Sequence, residues 1–232
     1  DYMIDWMEHY GNNCWMSLFY NNHDNPRMIS KITGDASRHS DLAKLLALMQ
    51  LTLKGTPFLF QGDEMGLANY EFTSMEQITD VEAKGYFADH IRKEPEEQVF
   101  ARILAGTREH ARVPLPWNKK VPPCYEGLSQ EPRREVMEAY RRLICLRHRE
   151  KAFVYGSFRV LSRKKNRFVY ARALKGRVYV MDCNLGSGPC RGFNLKGQWK
   201  VVYDTRWDKG KERAVNAKVL EGYEARILRL VR

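Results

Sequence analysis

No stretch of this chain approaches the roughly twenty consecutive apolar residues of a membrane-spanning helix. The longest apolar stretches, around Leu45 to Leu53 and Val178 to Met181, are broken by polar residues at helix or strand spacing, so no membrane partner is expected. No signal peptide is visible, and the chain opens at Asp1 rather than Met, which makes that absence weak evidence. Cysteine is sparse: five residues (14, 124, 145, 183 and 190), an odd number with no Cys-x-x-Cys pair. That argues against a disulfide framework or a thiolate metal site and favours reduced thiols in the cytoplasm. Cys145 falls in a helix pattern and Cys183 in a strand pattern, where a small apolar residue would also fit. Acidic residues are outnumbered, 28 against 39 Lys and Arg, for a net charge of +11. A basic domain can bind nucleic acid. Here the positive charges are spread, with Arg133, Arg141 and Arg149 along one helix and Arg159, Arg163 and Lys165 on a hairpin, and no stacking-aromatic signature accompanies them. They read as solvated surface, or as surface that docks on another part of the protein, and no nucleic-acid partner is expected.

What is present is enough for one large domain or two small ones: 232 residues, 44% hydrophobic, with 12 Tyr, 10 Phe and 5 Trp. Asp1 to Gly11 reads as the tail of a helix stopped by Gly11. An apolar strand follows from Trp15 to Tyr20. Ser37 or Ser40 is placed to cap a helix whose Leu42, Leu45, Leu46, Met49 and Leu53 recur at helical spacing, and Gly55 stops it. Pro57 to Phe60 is short and wholly apolar, as a strand buried on both faces would be. The order helix, strand, helix, strand is that of an α/β barrel. Residues 61 to 130 form a charged, proline-rich connection too long to be idle, with a short helix over Glu96 to Thr107. A firm helix resumes near Pro132, carrying Val136, Ala139, Tyr140, Leu143 and Ile144 on one face. From about Lys151 the period becomes that of strands: Ser157–Leu161, Arg167–Leu174, Arg177–Cys183, Gln198–Asp204 and Tyr223–Val231. Gly176, Asn184-Leu185-Gly186, Gly188-Pro189 and Asp208-Lys209-Gly210 mark the turns. Short strands with regular turns predict an antiparallel sandwich. The domains are therefore expected at 1–151 and 152–232.

The most informative stretch is Asn21-Asn22-His23-Asp24-Asn25-Pro26-Arg27, at the end of the first strand. A strand end that presents His and Asp together, with Arg just beyond, suits a hydroxyl-rich or cationic ligand. Asn, Asp and Pro are equally the residues of an ordinary turn, and spacing alone leaves both readings open. Asn22-His23-Asp24 followed by Pro26-Arg27 resembles the fourth signature region of the α-amylase family of glycoside hydrolases (family 13), within it the α-glucosidase and oligo-1,6-glucosidase branch. Gly55-Thr56-Pro57-Phe58-Leu59-Phe60-Gln61-Gly62-Asp63-Glu64-Met65-Gly66 is similar to the family's last barrel strand and following loop. Arg108-Glu109-His110-Ala111-Arg112-Val113-Pro114-Leu115-Pro116-Trp117 is similar to its Arg-Asp-x-Ala-Arg-Thr-Pro-Met-Gln-Trp segment. The run from Tyr140 to Arg147 resembles the helix that closes the barrel. The four matches occur in the family's order over roughly residues 15 to 160.

The resemblance implies the C-terminal part of a (β/α)8 barrel, its last strands and helices, followed by an antiparallel β-sandwich domain. It implies a retaining α-glucosidase that needs no cofactor or metal. Such enzymes use a carboxylate nucleophile and a carboxylic acid about 5 Å apart across the scissile bond. Asp24 would be a third carboxylate that stabilises the oxocarbenium-like transition state. His23 and Arg112 would donate hydrogen bonds to the same sugar, and Arg27 would contact sugar or brace the loop. Asp63 and Glu64, adjacent on the chain, are expected to satisfy loop amides, and Asn21 and Asn22 to shape their loop. The family's nucleophile and acid lie on strands upstream of the His-Asp loop, and nothing between Asp1 and Tyr20 resembles either. The chain is thus expected to be a C-terminal portion, inactive alone and partnered by the missing N-terminal half of the barrel. A truncation, proteolysis or a split gene would each produce it. Asp24-Asn25-Pro26-Arg27 where the family has Asp-Gln-Pro-Arg, and Leu115-Pro116-Trp117 where it has Met-Gln-Trp, leave the preferred linkage open. Two rivals remain: a non-catalytic amylase-like interaction subunit, and a transglycosidase or isomerase on the same scaffold.

Overall fold

The computed structural model describes residues 2–11, 13–117, 120–206 and 219–231. Its elements run α1 (Tyr2–Tyr10), β1 (Ser17–Leu18), α2 (Met28–Ile32), α3 (His39–Thr52), β2 (Thr56–Pro57), α4 (Val81–His90), α5 (Glu96–Gly106), α6 (Arg134–Arg149) and α7 (Ala152–Tyr155). Then come β3 (Ser157–Lys164), β4 (Arg167–Leu174), β5 (Arg177–Asn184), β6 (Cys190–Arg191), β7 (Trp199–Asp204), β8 (Val219–Leu220) and β9 (Ala225–Leu230). The chain divides into two compact units, one of residues 1–19, 40–58 and 135–232, the other of residues 20–39 and 59–134. The expected turn at Asp208-Lys209-Gly210 lies outside the described residues.

In the first unit β1 and β2 pair in parallel, Ser17 opposite Thr56 and Leu18 opposite Pro57. Both are shorter than the apolar runs that announced them, because the ladder covers two residues on each side. Leu18 is buried, yet Phe19 and Phe58 lie open at 42% and 55% of their surface. The expectation of a strand buried on both faces is corrected accordingly. Gln50, on α3, ties the pair from below: its Nε2 donates to Leu18 O at 2.9 Å and Phe58 O at 2.7 Å. The buried face of α3 is set by Leu42, Leu45 and Leu48, with Ala43 and Ala47 beside them, while Leu46 and Met49 are only half-buried. Ser37 or Ser40 was expected to cap α3; Ser37 N instead donates to Asp35, which opens the 3-10 turn Ala36–Arg38 before the helix, and the Ser40 hydroxyl donates to Glu135. Pro132 precedes the first turn of α6 instead of occupying it.

The end of α3 is held by two buried arginines that, among the described residues, have no carboxylate in contact. Arg147 donates to the carbonyls of Leu51, Leu53, Gly55 and Phe153. Arg172 donates to those of Thr52, Phe153, Gly156 and Ser157. The C-terminal carbonyls of a helix carry partial negative charge and lack intrahelical donors, so a guanidinium fork satisfies both needs at once. Burial pushes Arg172 down to about 10, still charged at neutral pH.

From Ser157 the unit is an antiparallel sheet in the order β3-β4-β5-β9-β7. Leu174 pairs with Arg177 across a two-residue loop, Lys175-Gly176, whose φ values of 47° and 77° are those of a twisted hairpin turn. The central strand β5 is buried along nearly its whole length. One face packs Val169, Val180, Val201 and Leu228 against Leu161 and Phe193. β6 and β8 form a separate two-stranded pair. Cys183 is buried in β5, as its strand position suggested, but Cys145 is exposed on α6.

The second unit has its own core, built from Phe72, Ile78, Val99, Ile103 and Val113. Val99 and Ile103 come from α5, the helix expected there. α4 went unforeseen because its apolar residues do not form a continuous stripe: Val81 is 81% exposed. Its start is fixed by Asp80, whose carboxylate accepts from Ala83 N. Among the described residues no helix is long and apolar enough to cross a membrane.

Candidate active site

All the polar residues singled out in the sequence, from Asn21 to Arg27 and from Arg108 to Arg112, belong to the second unit. Asn22 Oδ1 accepts from Asp24 N at 3.0 Å and from Asn25 Nδ2 at 2.9 Å, a side-chain turn that fixes the tip of the loop. Asn21 pins its base, accepting from Met28 N at 2.7 Å and donating to Asp63 Oδ1 at 2.8 Å. Asp63 and Glu64 accept from Phe60 N and Gly62 N, each satisfying a loop amide as expected. Burial pushes the Asp63 carboxyl up to about 6, outweighing the opposing pull of Asn21, Phe60 N and Arg27.

His23 and Asp24 stand at the tip, with His23 Nε2 3.2 Å from Asp24 Oδ2. Arg112 reaches them from the end of the 3-10 turn Arg108–Ala111. Its Nη2 lies 3.3 Å from Asp24 Oδ1 and its Nε donates to His23 O at 3.1 Å. The structure therefore brings His23, Asp24 and Arg112 together. It does not bring Arg27 to them. The Arg27 side chain is 1% exposed, donates to Gln61 O at 2.8 Å, faces Asp63 at 3.8 Å and stacks over Phe60 at 5.0 Å. Arg27 braces the loop from within, and of its two expected roles the contact with a sugar is corrected.

Two further residues complete the array and were missed from sequence. Arg108 Nη1 lies 3.6 Å from Asp24 Oδ1, and its Nε donates to Asp80 Oδ1 at 2.7 Å. That hydrogen bond is the main reason Arg108 is pushed above its ordinary value. Arg112 Nη1 also faces Asp80, at 3.8 Å. Arg108 Nη2 also faces the exposed Glu82 at 3.5 Å, so two guanidinium groups are shared among three carboxylates, of which Asp24 and Asp80 meet both. Behind them Glu109 is fully buried and accepts from Thr79 N at 3.1 Å, Asp80 N at 2.9 Å and the Tyr125 hydroxyl. Arg108 could have been singled out by its spacing of four from Arg112 in one motif. Asp80 carried only the signal of a helix cap, in a stretch read as connection.

An open trough of about 570 Å³ lies beside Asp24, with Asp80, Tyr86, Ile103 and Arg108 among its walls. Asp24 is about half exposed and His23 more so. A carboxylate flanked by imidazole and guanidinium donors can accept from hydroxyls, place donors on their neighbours and oppose a developing positive charge.

A family model described as "Alpha amylase, catalytic domain" matches residues 1–156. The chain belongs to the α-amylase family. The match spans both motifs of the site. Among similar members, an oligo-1,6-glucosidase of Halalkalibacterium halodurans is 30% identical over 92% of this chain and 42% of its own length. A glucan 1,6-alpha-glucosidase of Streptococcus pneumoniae is 28% identical over 81% of this chain and 38% of its own. The crystal structure of the trehalulose synthase MutB from Pseudomonas mesoacidophila MX-45 matches with a TM-score of 0.80 at 28% identity, covering 98% of this chain and 45% of that one. The chain spans less than half the length of these family relatives.

Proposed function

We propose that this chain is the C-terminal part of a retaining α-glucosidase that hydrolyses α-glucosidic bonds in small oligosaccharides, resembling the oligo-1,6-glucosidases. The observation that carries this reading is the convergence of His23 and Arg112 on Asp24 in a member of the α-amylase family. Asp24 holds the sugar and opposes the positive charge of the transition state, and His23 and Arg112 donate to its hydroxyls. The reaction also needs a carboxylate that attacks the anomeric carbon and an acid that protonates the departing oxygen. Water then cleaves the glycosyl-enzyme, with the acid residue acting as base. In this reading both carboxyl groups come from the portion of the relatives' length that the chain does not span, and the chain alone is inactive. β1, β2 and their helices are the last part of a (β/α)8 barrel, and the strands after residue 152 form a β-sandwich. The exposed Phe19 and Phe58 beside the two-residue ladder support a partner there, the N-terminal half of the barrel. The five free thiols suit the cytoplasm.

The test is an assay on a chromogenic α-glucoside, with the chain alone and with the N-terminal half of an oligo-1,6-glucosidase supplied in trans. Turnover only in the mixture supports the reading; robust turnover by the chain alone removes the need for a partner. A second reading is favoured by the likeness to trehalulose synthase, namely transfer or isomerisation instead of hydrolysis. Product analysis on sucrose and isomaltose separates the two.

A further inference from the structure

We propose that Asp80 is a positioning residue for Asp24, acting through the arginine pair Arg108 and Arg112. The functional meaning of this inference rests on the reading of Asp24 as a sugar-binding carboxylate; its structural content does not. Asp24 sits on a tip whose backbone is held by Asn22, but its side chain touches no residue other than His23 and the two arginines among its polar contacts described above. Long cationic side chains on a partly exposed 3-10 turn would ordinarily sample many rotamers. Here each is anchored at a second point, on a carboxylate that itself cannot move.

Asp80 is that fixed point. Its side chain is 6% exposed. Its Oδ2 caps α4 through Ala83 N, its backbone N donates to the buried Glu109, and its Oδ1 receives Arg108 at 2.7 Å. Arg108 and Arg112 then each present a remaining nitrogen to the same oxygen of Asp24, Oδ1, at 3.6 and 3.3 Å. Oδ2 is left to His23. The array fixes which oxygen faces the cations and which faces outward with the imidazole. Asp80 also divides the positive charge, so that Asp24 does not take up both guanidinium groups alone. Without it, Arg108 keeps only the exposed Glu82 at 3.5 Å and Arg112 only the His23 carbonyl at 3.1 Å as a second anchor, so the nitrogens that face Oδ1 lose their fixed position and Asp24 samples other rotamers with them.

The experiment uses the chain as it is, with Asp80→Asn as the first variant. Asparagine caps a helix as well as aspartate does, so the Ala83 amide should keep its chemical shift while the charge is removed. The readout is the χ1 rotamer of Asp24, from three-bond couplings of its β protons. The wild type should show one rotamer and D80N a mixture, with Asp80→Glu restoring much of the single state. Arg108→Gln cuts the bridge from the other end and should loosen Asp24 in the same way, with D80N/R108Q no worse than either alone. A single Asp24 rotamer in both D80N and R108Q overturns the proposal. In parallel, the affinity for 1-deoxynojirimycin, a cationic glucose mimic, should fall about tenfold in D80N, the order of one charge-assisted contact. Loosened rotamers, with no binding of the mimic by the wild type even when the N-terminal half of the barrel is supplied, would uphold the positioning role and defeat the sugar reading. Unchanged rotamers with intact binding would do the reverse.

Discussion

Asp63 sits in an environment that opposes its charge. Its folded carboxyl titrates at about 6, against an ordinary value of 3.8. The folded state therefore holds the proton more tightly than the unfolded one, and this group's contribution to stability falls as pH rises from about 4 to about 6, then levels. Asp63→Asn cannot ionise and should lack that fall. In urea unfolding at pH 4 and pH 7, the wild type should lose about 2 kcal/mol more than the variant between the two pH values. Equal losses would mean that Asp63 is already charged in the fold at pH 4. The same residue shows why Arg27 belongs to the loop: a buried carboxylate and a buried guanidinium 3.8 Å apart answer each other, leaving neither for a ligand. From sequence, Arg27 and Arg112 were equally polar and equally close to a motif. Only burial separates them, and burial depends on Phe60 and Gln61, far along the chain.

At the scale of elements, what the sequence makes legible follows its periodicity. The hairpin of β4 and β5 was readable to within a residue, because Gly176 sits where a two-residue turn requires positive φ. α5 was readable from Val99 and Ile103. α4 was not, since its start is set by one aspartate and its apolar face is weak. β1 and β2 were overestimated, because apolar content marks a run while a ladder needs a partner of equal length. Within the site, His23, Asp24 and Arg112 were legible through a family motif, whereas Asp80 needed three-dimensional proximity to be noticed. Gly55 joins α3 to β2 at φ 143°, and a Cβ there would overlap Met16 O. Gly55→Ala should therefore destabilise the chain by about 2 kcal/mol or more, read as a lowered urea midpoint. Gly176→Ala, at a backbone φ of 77°, should cost about 1 kcal/mol. Equal midpoints for G55A and the wild type would show that β2 shifts freely away from Met16.

For the whole molecule, the net charge of +11 and the proposed neutral substrate make opposite claims on salt. A sugar releases no counterions, so its affinity should stay constant between 50 and 200 mM salt, whereas nucleic-acid binding would weaken steeply. Titration of the chain with isomaltose at several salt concentrations distinguishes them, and a steep salt slope would revive a nucleic-acid partner. The paired guanidinium groups at the end of α3 carry a consequence for chemical labelling. Arg149 and Arg177 stand 73% and 66% open, and a dicarbonyl reagent should modify both within the native state. Arg147 and Arg172, each enclosed by carbonyl oxygens, should react only when the first unit opens. Their labelling rate would then rise with urea while that of Arg149 stays flat, turning two ordinary arginines into an internal clock for unfolding.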